Sequence, residues 1–238
     1  MAFRRVLLKL SGEALKEKSD TILSGEALTH MAEMIKAIVE SGVQVCVVIG
    51  AGNVWRGKVA SDAGMERVQA DFMGMLGTVI NCVALSSKLK DTGVDSLVTS
   101  AISAIEGITV PYHIEVADKA MNNGRVVFLA GGTGKPYFTT DTAAAIRAIE
   151  LKCDTILMGK HGVNGVFVKD PRNHADAKFF KYITFEQMLK LNLQIMDTSA
   201  IQLIKDKNIK VNVFQMEASN FIAAAKGEHV GTICHKGE

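Results

Sequence analysis

The run Val126-Val127-Phe128-Leu129-Ala130 and the run over residues 43–49 lack the polar alternation of a strand with one wet face. Strands apolar on both sides belong in the middle of a parallel sheet that helices cover above and below. Further short runs at 5–10, 96–100, 155–158 and 211–214 read as strands, with a last one at 231–234. Helical spacing separates them. Ser24 caps a helix whose apolar positions include Ala27, Met31, Met34, Ile35 and Ile38, and Ser41-Gly42 ends it. A long pattern over 65–90 places Val68, Phe72, Met75, Leu76, Val79 and Leu89 on a core-packing helix. Shorter helices are expected within 111–122, at 142–150, 185–191, 196–206 and 220–225. Residues 16–23 read as a polar loop, Asn164-Gly165 as a tight hairpin ahead of Val166, and 169–172 as a turn. Strand alternating with helix gives an α/β fold around a mostly parallel sheet.

A chain of 238 residues, 48% hydrophobic and 22% charged, can bury a substantial core. Its 27 basic and 25 acidic side chains are interspersed, leaving a net charge of +2 and no long basic block. That excludes nucleic acid as the main partner, while a phosphorylated small molecule needs only a few placed cations. Cys46, Cys82, Cys153 and Cys234 are scattered among apolar residues without C-x-x-C spacing, which fits reduced core thiols of a cytoplasmic protein better than zinc. The apolar start has the outline of a signal peptide but is short and interrupted by Lys9. No later segment reads as a bilayer span, so a soluble protein without a membrane partner is expected.

The strand ends carry the chemistry. After Ala130 comes Gly131-Gly132-Thr133-Gly134-Lys135-Pro136-Tyr137-Phe138-Thr139-Thr140-Asp141, then a helix with Thr140 or Asp141 in the N-cap position. Glycines admit an anion to backbone N–H groups, and a helix start adds partial positive charge. The strand at 5–10 ends in Lys9 beside Ser11-Gly12, where an ammonium meets a phosphate. The strand at 43–49 ends in Gly50-Ala51-Gly52 with Arg56 close behind, and that at 155–158 ends in Gly159-Lys160-His161-Gly162. The dinucleotide fingerprint fails because Trp55 stands at its third glycine. Gly52 to Lys58 fits a phosphate-loop spacing only by chance, since Val59 offers no hydroxyl. Alone, Arg56 is equally a solvated surface arginine, and Asp71 a solvated helix carboxylate. Four such loops on one sheet edge, with Lys9, Arg56 and Lys160 among them, favour polyphosphate chemistry, because open parallel sheets bind ligands beyond their strands' carboxyl ends.

These residues are together recognisable. Lys9-Leu10-Ser11-Gly12-Glu13-Ala14-Leu15, Val47 to Asn53 with Arg56-Gly57, and Asp71-Phe72-Met73-Gly74-Met75 are joined by Gly132-Thr133-Gly134, Pro136 to Asp141, Gly165-Val166-Phe167 and Asp170-Pro171. Over nearly its whole length the chain resembles the bacterial UMP kinases of the amino acid kinase family. The resemblance implies a three-layer αβα sandwich of carbamate kinase type, one domain over 1–238. Its N-terminal part would bind mainly UMP, and the part from about 150 mainly ATP. It implies reversible transfer of the γ-phosphoryl group of ATP to UMP, giving UDP and ADP for pyrimidine nucleotide biosynthesis. Magnesium would be carried by ATP rather than held in a protein metal site. Partners would be UMP, ATP, further copies in a homohexamer, and UTP as feedback inhibitor.

By the same resemblance Lys9, Leu10, Ser11, Gly12, Gly52 and Arg56 face ATP, with His161 or its neighbour Lys160, Phe167 and Asp170 toward the adenine. Ala51, Asp71, Thr133, Gly134, Lys135, Pro136, Tyr137, Phe138, Thr139 and Thr140 face UMP. Lys9, Arg56 and Asp141 take the catalytic roles: Lys9 on the transferring group, Arg56 as phosphate clamp, and Asp141 orienting the lysines. Two residues depart from the pattern. Ala51 replaces a glycine, which leaves a backbone N–H contact intact, and Lys135 replaces an asparagine. The segment 17–22, where relatives carry an effector loop with glycines, has none, so little activation by GTP is expected. The competing readings are an acetylglutamate or glutamate kinase of the same fold, and a non-catalytic pyrimidine-nucleotide sensor.

Overall fold

The computed structural model describes residues 3–16, 21–169, 171–174, 176–193 and 195–237. The chain opens with β1 (Arg5–Leu10) and one 3₁₀ turn at Gly12–Leu15, followed by α1 (Gly25–Glu40) and β2 (Gln44–Ile49). Then come α2 (Gly57–Asp62), α3 (Arg67–Lys90), β3 (Ser96–Ser100), β4 (Val110–Pro111), α4 (Ile114–Asn122), β5 (Val126–Ala130) and α5 (Thr140–Glu150). The remainder holds β6 (Thr155–Lys160), β7 (Val166–Phe167), β8 (Phe179–Phe180), β9 (Tyr182–Thr184), α6 (Phe185–Lys190), α7 (Thr198–Ile204), β10 (Lys210–Gln215), α8 (Ala218–Ala225) and β11 (Thr232–His235).

Among the described residues nine strands form one sheet in the order β4-β3-β5-β2-β1-β6-β10-β11-β9, parallel except at β10–β11. β1 lies at its centre, Lys9 pairing with Val48 of β2 on one side and Met158 of β6 on the other. Leu8 and Leu10 point into one core with Ile35, Val79 and Phe221, while Leu7 points into the other with Val48, Ala144 and Ile156. This is the expected sandwich: α1, α3 and α8 cover one face, α4, α5 and α7 the other. The parallel register brings the carboxyl ends of β1, β2, β5 and β6 to one edge.

Several expectations need correction. The N-cap of α5 is Thr139, not Thr140 or Asp141; its hydroxyl accepts from the N–H groups of Asp141 and Thr142. Val166-Phe167 pairs with Phe179-Phe180 across a longer loop rather than in a tight hairpin at Asn164-Gly165, because Gly165 is pressed against Thr232 and Phe179. The helix expected at 196–206 is shorter, since Met196 is buried ahead of it and Asp197 caps it. The strands β4, β8 and β9 and the short helix α2 carry too few residues for a pattern to register. On α3, Met75, Val79 and Leu89 are core, but Phe72 and Leu76 are exposed, because the helix lies on the sheet by one side only. α3 is also long and apolar enough to cross a membrane, with a mean hydropathy of 1.4 over its best window, contrary to the reading that no segment qualifies. Its inner side is packed against α1, β3 and β5. All four cysteines are buried and free, and burial pushes the Cys82 and Cys234 thiols up to about 12, which keeps them protonated and inert.

Arg5 is the largest fully buried side chain, 1% exposed at the start of the central strand. Its guanidinium donates to Gln44 Oε1, Asp118 Oδ1, the Leu151 carbonyl and Asn122 Oδ1, so one cation ties β1 to β2, α4 and the end of α5. The hydrogen bond from Arg5 holds the Asp118 carboxyl below its ordinary value. Removing Arg5 takes a donor from four acceptors at once, among them the Leu151 carbonyl, which it meets in a buried bond. Arg5→Ala should lower stability by about 2–4 kcal/mol in chemical denaturation, and a lysine in its place should recover little because it lacks the fork. A loss below about 0.5 kcal/mol, the scale of an ordinary surface change, would refute this account.

Candidate active site

Lys9 ends the central strand as it emerges, and its ammonium lies 2.7 Å from Asp141 Oδ1, each side chain only 17% exposed. The sheet supplies the lysine and the first turn of α5 the carboxylate, so the pair bridges two elements at the strand-end edge. Lys160, at the end of β6, donates to the Ile195 carbonyl at 2.7 Å. Its pKa is lowered, first by burial and then by the charge of Lys9, with Asp141 acting in the opposite sense. Two half-buried cations against one carboxylate leave a site that attracts an anion.

Arg56 projects from the loop after β2, 63% exposed, with Nη2 on Glu13 Oε1 at 2.6 Å and Nε on the Gly52 carbonyl at 3.2 Å. An exposed pair of this kind is worth about 0–1 kcal/mol. The guanidinium can therefore leave Glu13 at little cost. Leu10 is fully buried and offers only its backbone, whose carbonyl accepts from Gly50 N–H. Ser11 likewise accepts from Ala14 N–H through its carbonyl. A Cβ on Gly12 would lie 2.3 Å from Asn53 Oδ1 and 2.4 Å from the Gly50 carbonyl, so only glycine fits there.

Beside these loops lies a cleft of about 600 Å³. Ala51 and Gly52 form one wall, Asp71 another, and Thr133, Lys135, Phe138, Thr139 and Thr140 close it. Eight of the anticipated residues thus share one cavity. Gly134, Pro136 and Tyr137 belong to the same loop but not to the cleft wall. Gly131 and Gly134 have φ of 78° and 77° and abut the backbone at Ala101 and Ile102, so close packing requires these glycines as much as access for an anion does. Asp71 accepts from Arg67 Nε at 2.8 and 2.9 Å and from the N–H of Tyr137 at 2.7 Å. Tyr137 sits at φ 70°, a conformation costing about 1–2 kcal/mol without glycine, and Asp71 with Arg67 over its ring holds it there. Away from the cleft, His161 is exposed, and Phe167 stacks edge-on against Phe179 at 5.3 Å. Asp170 lies outside the described residues.

Sequence reasoning missed several participants. Trp55, Met75 and Thr78 also line the cleft, together with Gly132 of the glycine loop already singled out. Asp197 binds the hydroxyls of Thr139 and Thr142 and accepts from Ala200 N–H, joining the caps of α5 and α7. The cap signature Asp-Thr-Ser was present, but the expected helix began one residue earlier. Ala51 has room because residue 77 of α3 is glycine: a Cβ there would come within 2.8 Å of the Ala51 Cβ.

Lys9, Arg56, Asp141 and Lys160 lie outside the cleft wall, at the strand ends beside it. A central parallel sheet whose strand ends carry a lysine–aspartate pair, an arginine and close-packed glycine loops next to such a cleft belongs to the phosphate-binding α/β class. The chain belongs to the amino acid kinase family, whose model matches residues 4–215. It is 44% identical over 231 residues to the uridylate kinase of Streptococcus thermophilus, covering 97% of this chain and 94% of that one. The crystal structure of UMP kinase from Bacillus anthracis superposes with a TM-score of 0.96 at 37% identity, covering 100% of this chain and 98% of that one. That of UMP kinase from Ureaplasma parvum gives 0.93 at 37% identity, covering 99% and 100%.

The Ala51–Gly77 contact makes a reciprocal prediction. Gly77→Ala should cost about 1–3 kcal/mol through overpacking, and adding Ala51→Gly should restore most of the loss. A thermal or urea double-mutant cycle measures it; strictly additive effects would remove the contact as the explanation.

Proposed function

We propose that this chain catalyses reversible transfer of the γ-phosphoryl group of ATP to UMP, giving UDP and ADP. The observation that carries the reading is the half-buried Lys9–Asp141 pair at the central strand end, next to a cleft lined by the residues expected to face UMP. Phosphoryl transfer asks for positioning and charge neutralisation rather than a covalent nucleophile. Lys9 stabilises charge on the transferring group, Asp141 keeps its ammonium aimed, and Arg56 leaves Glu13 to clamp phosphate oxygens. The UMP phosphate is already an anionic nucleophile at neutral pH, so no protein base is needed. Magnesium travels with ATP as part of the donor substrate and neutralises charge on its phosphate oxygens.

In this reading the 131–141 loop and Asp71 receive UMP. A ribose hydroxyl at Asp71 displaces Arg67, whose exposed i,i+4 pair is worth only about 0.3–0.5 kcal/mol, and leaves the Tyr137 N–H in place. ATP occupies the Lys9–Gly12, Gly52 and Arg56 side, its base toward 160–170, so the residues from about 150 onward serve mainly the donor within one domain. The enzyme works in the cytoplasm in pyrimidine nucleotide supply, with UTP as feedback inhibitor. It assembles as a homohexamer, a reading supported by the exposed stripe Phe72, Leu76 and Ile80 along α3, apolar surface that a second copy would cover.

The test is ADP release from magnesium ATP with UMP, CMP, AMP, acetylglutamate and glutamate in parallel. UMP should be the preferred acceptor; turnover of an amino acid and not UMP would overturn the reading, and nucleotide binding without turnover would favour the sensor. Lys9→Met should lower kcat by roughly 10²–10³-fold, the scale set by removal of one preorganised donor, and near-wild-type turnover would end the lysine's assigned role. GTP should raise the rate little or not at all. Residues 17–20 of the proposed effector segment lie outside the described residues, and a several-fold activation would contradict this expectation.

A further inference from the structure

Asn81 is fully buried in the middle of α3, and Asn53 is 9% exposed in the loop after β2. Their amides bond reciprocally, Asn53 Nδ2 to Asn81 Oδ1 at 2.9 Å and Asn81 Nδ2 to Asn53 Oδ1 at 2.8 Å. The remaining N–H of each amide is also used: Asn81 donates to the Gly50 carbonyl at 2.7 Å, and Asn53 to the Ile22 carbonyl at 2.7 Å. Amide groups are costly to bury, and apolar side chains would fill the same space without that cost. What the amides add is direction, because a hydrogen bond fixes the orientation of its acceptor where apolar packing does not.

The acceptor at issue is one peptide. In a trans peptide the C=O and the following N–H point in opposite directions. Holding the Gly50 oxygen toward α3 therefore turns the Ala51 N–H away from α3. Ala51 is also part of the cleft wall, and its Cβ is seated against Gly77 one turn before Asn81. Gly12 packs closely against the same atoms: a Cβ there would lie 2.3 Å from Asn53 Oδ1 and 2.4 Å from the Gly50 carbonyl. The peptide has no freedom to rotate without breaking one of these contacts.

We propose that Asn81 is a positioning residue for the acceptor: through the Gly50 carbonyl it sets the Gly50–Ala51 peptide so that the Ala51 N–H donates to a phosphate oxygen of the bound nucleotide. This rests on the reading of the cleft as the UMP site. Asn53 serves as the internal comparison. Its removal breaks the same amide pair and loosens the same packing, but leaves the Asn81–Gly50 bond in place.

Titration calorimetry with UMP on wild type, Asn81→Ala and Asn53→Ala separates the roles. Asn81→Ala should weaken UMP by roughly ten- to a hundredfold, the range for losing a hydrogen bond to a charged group. Asn53→Ala should weaken UMP less than threefold, although both variants lose thermal stability. UMP affinity within threefold of wild type in folded Asn81→Ala, or equal weakening in the two variants, would overturn the assignment. If Asn81→Ala does not fold, hydrogen exchange in the wild type decides: UMP should slow exchange at the Ala51 amide, and an unchanged rate refutes the proposal. Should wild type bind no UMP at all, the functional reading fails separately. The same exchange measurement with inorganic phosphate then judges the peptide's role, slowing at Ala51 supporting it and no slowing refuting it.

Discussion

The ion pair between Lys9 and Asp141 is the interaction the site is built around. It cannot form unless β1 is central, because only a strand with neighbours on both sides delivers its last lysine into the middle of the strand-end edge. It also requires α5 to begin where it does. Thr139 accepts the first N–H groups of that helix and donates its hydroxyl to Asp197, so the carboxylate of Asp141 is aimed by a chain of caps running to α7. Each side chain is only 17% exposed, so the cost of desolvating the two charges offsets much of their attraction and the pair contributes little net stability. What the geometry provides is mutual restraint, each charge holding the other in place at the strand-end edge.

The helix α3 plays the complementary part. Its inner side touches each loop that forms the cleft: the Ala70 carbonyl accepts from Trp55 Nε1, Asp71 from Tyr137 N–H, and Thr78 from Gly131 N–H, while Asn81 holds Gly50. The loops after β2 and β5 are thus referenced to one rigid rod rather than to each other. The opposite side of the same rod is the apolar stripe at Phe72, Leu76 and Ile80. Whatever covers that stripe bears directly on the element that spaces the two loops.

How much of this was legible depended on whether the signal was local. Strand runs, the Ser24 cap and the glycine loops are written in consecutive residues, and the strand-end rule carried them to one edge. Lys9, Arg56 and Asp141 stand out in the sequence because a glycine or hydroxyl lies within three residues of each. Asp197 does not: Thr198-Ser199 mark it as a helix cap, but its partners Thr139 and Thr142 lie more than fifty positions upstream. Asn81 is one polar residue on a mostly apolar helix, and only the fold reveals that it faces Gly50. The same limit governs α3: periodicity counts apolar positions, and a helix apolar on both sides reads as fully buried when one side is open.

The glycines make the same point about cause. As a sequence, Gly131-Gly132-Thr133-Gly134 reads as a loop kept bare so that an anion can reach backbone N–H groups. In the fold Gly131 and Gly134 are pressed against the backbone of residues 101 and 102, and Gly12 against Asn53 and Gly50. A side chain at any of these would move the loop before it ever met a ligand. The bare backbone is therefore a packing requirement as well as a binding one, and a loop so confined does not have to be ordered by its ligand. That ordering is part of what association otherwise costs, and here it has already been met in folding.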